Sequence, residues 1–198
     1  MHLRSLLFVL PFVVGAVPPV PAVWAGKVFL SVEEALELAF PEDADVTRRT
    51  EYLTEDQLER ARDLAEVDVP SAIVHPYVAR DAEGHELGVA WFDTHTVRSK
   101  RETVMYVVAP DRTLVRIEVL AFAEPLEFMP RANWYAQFLG QRLSPELSLK
   151  RGIRGVTGAT LTAVGTTDAA RRVLALHEVV FPAPEPEPDP EPQPDPGA

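Results

Sequence analysis

Four consecutive stretches of β-like sequence constrain this chain more than anything else in it. They are "SAIVHPYVAR" (71–80), "HELGVAWFDTH" (85–95), "ETVMYVVAP" (102–110) and "TLVRIEVLAF" (113–122). The turn "RDAEGHE" joins the first two and "APDRT" joins the last two, as expected of strand punctuation. In the fourth stretch Val115, Ile117 and Val119 alternate with Arg116 and Glu118. That alternation predicts an antiparallel sheet with one wet face. Pro76 has no N–H to give to a ladder, so the first stretch is expected as an edge strand or a broken one.

Helical patterns flank these strands. "SVEEALELAF" (31–40) carries a cap at Ser31 with Glu34 three places on, and "TEDQLERARDLA" (54–65) has the same capping-box pattern in Thr54 and Gln57. "DVTRRTEYL" (45–53) reads as a strand, and "RANWYAQFLG" (131–140) as a short helix ending at Gly140. The last helix is expected in "TAVGTTDAARRVLALHEVV" (162–180). Its periodicity puts Thr166, Ala170, Val173, Leu174 and His177 on one face, with Arg171 and Arg172 near the other. The expected fold is α+β: a single domain with an antiparallel sheet, packed helices, and a disordered Pro/acidic tail.

The ends of the chain read differently. "MHLRSLLFVLPFVVGAVPPVPAVWA" has a basic start at Arg4, an apolar core and small residues at Val23 and Ala25. This is the order of a secretory signal peptide cleaved after Ala25, and it predicts a periplasmic or otherwise exported protein. A membrane anchor is the competing reading, weakened by Pro11, Pro18, Pro19 and Pro21, which interrupt the run. The chain has no cysteine. Disulfides, thiolate metal sites and cysteine nucleophiles are therefore excluded, and the fold must rest on its core. A net charge of −11 argues against nucleic-acid binding. Residues 182–198 alternate Pro with mostly acidic residues. They are expected as a solvated polyproline spacer, or alternatively as a docking arm for a basic partner or for peptidoglycan.

The candidate chemistry lies in "RGIRGVTGATLTA" (151–163). Gly155 and Gly158 permit close backbone approach, Thr157, Thr160 and Thr162 offer hydroxyls, and a helix N-terminus suits a phosphate. An ordinary polar helix start accounts for the same residues. Within this segment, "TGATLT" at 157–162 resembles the flavinylation motif of the FMN-binding domain family. That family includes periplasmic subunits of sodium-pumping NADH:quinone reductases and of Rnf-type electron-transfer complexes. The resemblance implies that Thr160 carries FMN through a phosphoester bond, donated from FAD by a flavin transferase. Thr157, Gly158, Ala159, Leu161 and Thr162 would form the turn around it. A second segment is similar to the family in supplying Glu124 after a strand, then Gln137, Phe138 and Gly140 in "WYAQFLGQRL".

The resemblance covers residues 85–178 and leaves 26–84 as an N-terminal α/β extension. It implies an electron-transfer flavoprotein with an unknown redox partner, such as a membrane electron-transfer complex, rather than a stand-alone enzyme. The family pattern has Asp where this chain has Arg154, and "VRSKRET" (97–103) replaces a glycine-rich segment with three basic residues that could meet the phosphate. Trp134, Tyr135 and Phe138, with Phe128 and Met129, are candidates both for core packing and for a wall against the flavin ring. Asp93 and His95 share a strand face, but two residues make no metal site. His75, His85, His95 and His177 are expected at the surface or the core rim. No G-x-G-x-x-G or Walker loop is present. Two further readings are a flavin-dependent reductase of a terminal acceptor and a flavin-free interaction module.

Overall fold

The computed structural model describes residues 26–183. The predicted signal peptide (1–25) and the tail from residue 184 lie outside the described residues. The elements in order are β1 (Lys27–Val28), α1 (Val32–Ala39), β2 (Asp45–Arg48), β3 (Glu51–Tyr52), α2 (Glu55–Ala65), β4 (Ile73–Val74), β5 (Tyr77–Arg80), β6 (Glu86–Thr96), β7 (Arg101–Val108), β8 (Leu114–Phe122), α3 (Ala132–Tyr135) and α4 (Thr160–Val180). Six strands form one antiparallel sheet in the order β1-β8-β7-β6-β5-β2, and β3 pairs with β4 in a separate ribbon. The fold is α+β. Residues 26–84 contribute β1, β2 and β5 to the same sheet as the rest.

The helices at 32–39 and 55–65 start where their sequences dictate. Ser31 and Thr54 each accept a hydrogen bond from the N–H three residues on, and the Glu34 and Gln57 side chains accept one from the N–H of Ser31 and Thr54. Each capping box satisfies two otherwise orphan donors. The two N-terminal strand predictions need dividing. The 45–53 stretch is β2 and β3, and the 71–80 stretch is β4 and β5, with Pro76 at the second break. Pro76 accepts from the N–H of Arg49, and Thr50 meets His75 side chain to side chain at 3.1 Å, so the two breaks face each other. The Pro76 stretch is thus a broken strand. It is not an edge, because β5 lies between β2 and β6.

The expectation of one wet face is corrected. Val89, Trp91, Val104, Tyr106 and Val108 pack under α2 and α4, while Ala90, Met105, Val107 and Leu120 pack on the opposite face with Ala35 and Phe40. The alternation in β8 is real and puts Leu120 on the face of Arg116 and Glu118, but α1 covers that face at Leu120, so it is not simply wet. Val115, expected inside, is half exposed.

α4 lies against α2, where Ala61 and Ala65 are fully buried and let the backbones approach. Arg171 and Arg172 correct the helical-face prediction. Arg171 is 5 % exposed. Its guanidinium donates to the carbonyls of Ala65, Ser144 and Leu147 and to the Glu66 carboxylate. Arg172 donates to Asp68 O and to Asp93. Both arginines hold the helix in place rather than wetting it. Among the described residues no helix is long and apolar enough to cross a membrane.

Gly165 of α4 faces the His95 ring of β6. A Cβ built there would stand 2.8 Å from the His95 ring. That ring cannot swing aside, because Asp93 and Glu102 grip both of its nitrogens. In an exposed helix, Gly→Ala adds about 1 kcal/mol of stability. Here Gly165→Ala is expected to destabilise by about 1–3 kcal/mol through overpacking. Urea unfolding checks the sign.

Candidate functional site

The N-terminus of α4 carries the motif. Val156–Ala159 forms a turn closed by Ala159 N–H to Val156 O at 3.3 Å. Gly158 takes φ +85, which L side chains rarely adopt, and a Cβ at Gly155 or Gly158 would meet nothing within 4 Å. The turn therefore faces open space. No side chain caps the helix at Ala159, so the first N–H groups of α4 keep the positive end of the dipole unneutralised by a cap.

The three threonines have separate roles. Thr160 is exposed, and its hydroxyl makes only a 3.3 Å bond to Val156 O. Thr162 is fully buried and donates to Phe128 O at 2.5 Å, tying α4 to the segment after β8. Thr157 is exposed at the crest of the turn, and Leu161 projects beside Thr160 at 49 % exposure.

Two clefts flank this turn. A small one of about 190 Å³ is lined by Arg98, Phe128 and residues 158–162. The Arg98 guanidinium lies 4.5 Å above the Phe128 ring. A larger cleft of about 620 Å³ on the other side is lined by residues that include Met129, Pro130, Trp134, Gln137, Arg154 and Thr157. Ala159 borders both.

Glu124 sets the position of Arg98. Its Oε1 accepts from the backbone N–H groups of Ser99 and Lys100 at 2.7 and 2.8 Å, and more weakly from Arg98. These donors, Ser99 and Lys100 first, hold its carboxyl below the usual carboxylate range. The β6–β7 loop is thereby fastened to the end of β8, with Arg98 at the mouth of the small cleft.

The sequence-singled residues divide accordingly. Thr157, Gly158, Ala159, Thr160, Leu161, Thr162 and Phe128 come together, and Glu124 supports them through the loop. Phe138 does not join them: it is fully buried in the main core, edge-on to Trp134 at 5.3 Å. Gly140 forms a turn at φ +77 and donates its N–H to Leu114 O. Neither lines either cleft. Tyr135 is buried and donates to Glu102. Trp134 lines the larger cleft, and its indole N–H donates to Arg154 O at 2.6 Å.

Sequence reasoning missed a polar cluster beneath α4. His95 bridges Asp93 (Nδ1, 2.9 Å) and Glu102 (Nε2, 3.1 Å). Glu102 has no exposed surface and also accepts from Thr166 and Tyr135, while Arg172 pairs with Asp93. Burial alone would lower the His95 pKa, but the hydrogen bonds and charges of Asp93 and Glu102 outweigh it and raise it to about 9. Asp93 and His95 on one strand face were legible. Glu102 was not, because its place opposite His95 depends on the β6–β7 register. His177 is also buried rather than at the rim, whereas His75 and His85 are exposed. His85 stands with Asp81 and Glu83 in the β5–β6 turn, Glu83 and His85 exposed and Asp81 partly buried, with ligand atoms within 4.8 Å of one another.

Comparison of the chain with protein-family models, with curated proteins and with solved structures gives no match. The flavin-binding resemblance therefore rests on the residues of this chain alone.

The donor set fits a phosphate ester. An exposed hydroxyl, an uncapped helix start and a guanidinium converge on one small cleft. A larger cleft with both apolar and amide-bearing walls adjoins it.

Proposed function

We propose that this chain is an exported electron-transfer flavoprotein carrying FMN on Thr160, donated from FAD by a flavin transferase. The observation that carries the reading is the setting of Thr160: its hydroxyl is exposed at the mouth of a cleft that Arg98 overhangs, at the uncapped start of a helix. In the transfer, Thr160 Oγ1 forms a bond to the FMN phosphorus of FAD. The phosphoanhydride bond breaks, AMP leaves, and the hydroxyl proton passes to a base of the transferase. The phosphate then lies beside the first N–H groups of α4 and near Arg98. Thr162 is occupied with Phe128 O, which supports Thr160 over it as the acceptor.

The small cleft suits the phosphate, and the larger one has room for the ring. Met129, Pro130 and Trp134 offer it apolar surface, and Gln137 offers an amide. The flavin supplies reversible two-electron chemistry. The chain's residues would hold it at the mouth of the two clefts. Redox partners, such as a membrane electron-transfer complex, are expected to reach it from the exposed side of the turn.

The test is to incubate the purified domain, residues 26–198, with FAD, magnesium and a flavin transferase. The expected result is a mass gain of one FMN unit and yellow colour that survives denaturation. A colourless product of unchanged mass would favour the flavin-free interaction module, with Arg154 in place of Asp as the mark of lost attachment.

A further inference from the structure

We infer that Arg154 sets the reduction potential of the flavin by placing a fixed positive charge in the wall of the larger cleft. This rests on the covalent-FMN reading and goes beyond it. Three charged side chains line that cleft: Glu127, Arg131 and Arg154. None of them makes an ion pair with another described residue. The cleft thus carries two cations against one anion on a chain whose net charge is −11.

Arg154 is the anchored cation of the two. Its backbone is held on both sides: its N–H donates to Gln137 Oε1 at 3.0 Å, and its carbonyl accepts from Trp134 Nε1 at 2.6 Å. Its Nε also reaches Gln137 Oε1, at 3.4 Å. Arg131 immediately precedes α3 and makes no side-chain cap bond to it. Trp134 and Gln137, which grip Arg154, are themselves cleft-lining residues. The guanidinium is therefore kept at the wall, next to any ring seated against Trp134.

Reduction changes the charge of that ring. Two electrons and one proton add to oxidised isoalloxazine, the proton at N5, and N1 is left with one negative charge. A cation in the wall interacts more strongly with the reduced ring than with the neutral oxidised one. It therefore raises the potential and lowers the pKa of the reduced ring at N1. A carboxylate at the same position would do the reverse.

The experiment measures the midpoint potential of FMN-labelled protein against a reference dye during dithionite reduction. It compares wild type with Arg154→Ala, Arg154→Lys and Arg154→Asp. Arg154→Ala is expected to make reduction at least tenfold less favourable, about 30 mV for a two-electron couple. Arg154→Lys should keep most of the wild-type value, and Arg154→Asp should fall below Arg154→Ala. High salt should shrink these differences, since the cleft is open to solvent. The pKa of the reduced flavin should rise in Arg154→Ala. Because the side chain is exposed, these variants should fold, and far-UV circular dichroism verifies it.

Labelled Arg154→Ala with a potential within threefold of wild type overturns the inference and leaves the covalent reading intact. So does Arg154→Lys behaving like Arg154→Ala. Wild-type protein that takes no flavin overturns both.

Discussion

Thr160→Ala is expected to give folded, colourless protein that gains no mass with FAD, magnesium and the transferase, where wild type gains one FMN. The change deletes one exposed hydroxyl and a single 3.3 Å hydrogen bond to Val156 O. Its cost in stability should stay within about 0.5 kcal/mol, so loss of label cannot be blamed on unfolding. Thr160→Ser keeps the nucleophile and should retain label, at a lower rate. Thr157→Ala should still be labelled, because Thr157 lines the larger cleft and not the one that holds the Thr160 side chain. Thr162→Ala is a different experiment. It removes the bond to Phe128 O and leaves that carbonyl without its donor beneath the motif. It should slow labelling and cost about 1–3 kcal/mol of stability. Peptide mapping decides the matter. Flavin on Thr157 or Thr162 would move the acceptor, and flavin on none of the three would end the covalent reading.

Local signals in the chain were readable because local physics made them. The capping boxes at Ser31 and Thr54 require only four residues each, and both formed. Gly140 and Gly158 stand where positive φ is needed. Long-range placement was not readable in the same way. Arg171 looks like a solvent-facing cation by helical period, yet its partners come from residues 65, 66, 144 and 147, which only the packed fold brings together. Leu120 lies by alternation on the face of Arg116 and Glu118, and only the packed fold brings α1 over it. At the site, residues 157–162 are contiguous and so were found together. Phe128 and Arg98 join them only through the Thr162 and Glu124 hydrogen bonds. Phe138, plausible as a ring wall by composition, fills the core, because the chain turns it inward against Trp134.

The stability of the protein should peak near pH 6.5 and fall on both sides, for opposite reasons. On the alkaline side the group is His95. Its folded pKa of about 9 lies above the unfolded value near 6.5. The folded state thus binds its proton more tightly, so the contribution is complete below about pH 6.5 and is lost as pH rises through 9. At about 1.4 kcal/mol per unit, the span amounts to about 3 kcal/mol. Every charged group facing the ring belongs to this balance: Asp93 beside it, Glu102 from β7, and Asp168 and Arg172 from α4. On the acid side the group is His177, whose pKa burial and the nearby Arg112 depress to about 4. Its Nδ1 is buried without a partner. Here the unfolded chain takes the proton first, so stability is complete above about pH 6.5 and falls as pH drops through 4. The two arms are separable. His177→Phe should remove the part of the acid arm that begins near pH 6.5, leave the part at lower pH to carboxylates that folding holds below their usual range, such as Asp93 and Glu124, and leave the alkaline arm unchanged. His95→Ala should abolish the alkaline arm and cost about 3–5 kcal/mol at pH 7, because Glu102 is left buried without its cation. Adding Glu102→Gln to His95→Ala should recover part of that loss by removing the stranded charge. Urea midpoints from pH 4 to 10 read all of this. An alkaline arm that survives His95→Ala would show that the bridge between β6 and β7 is not held by a charged imidazole.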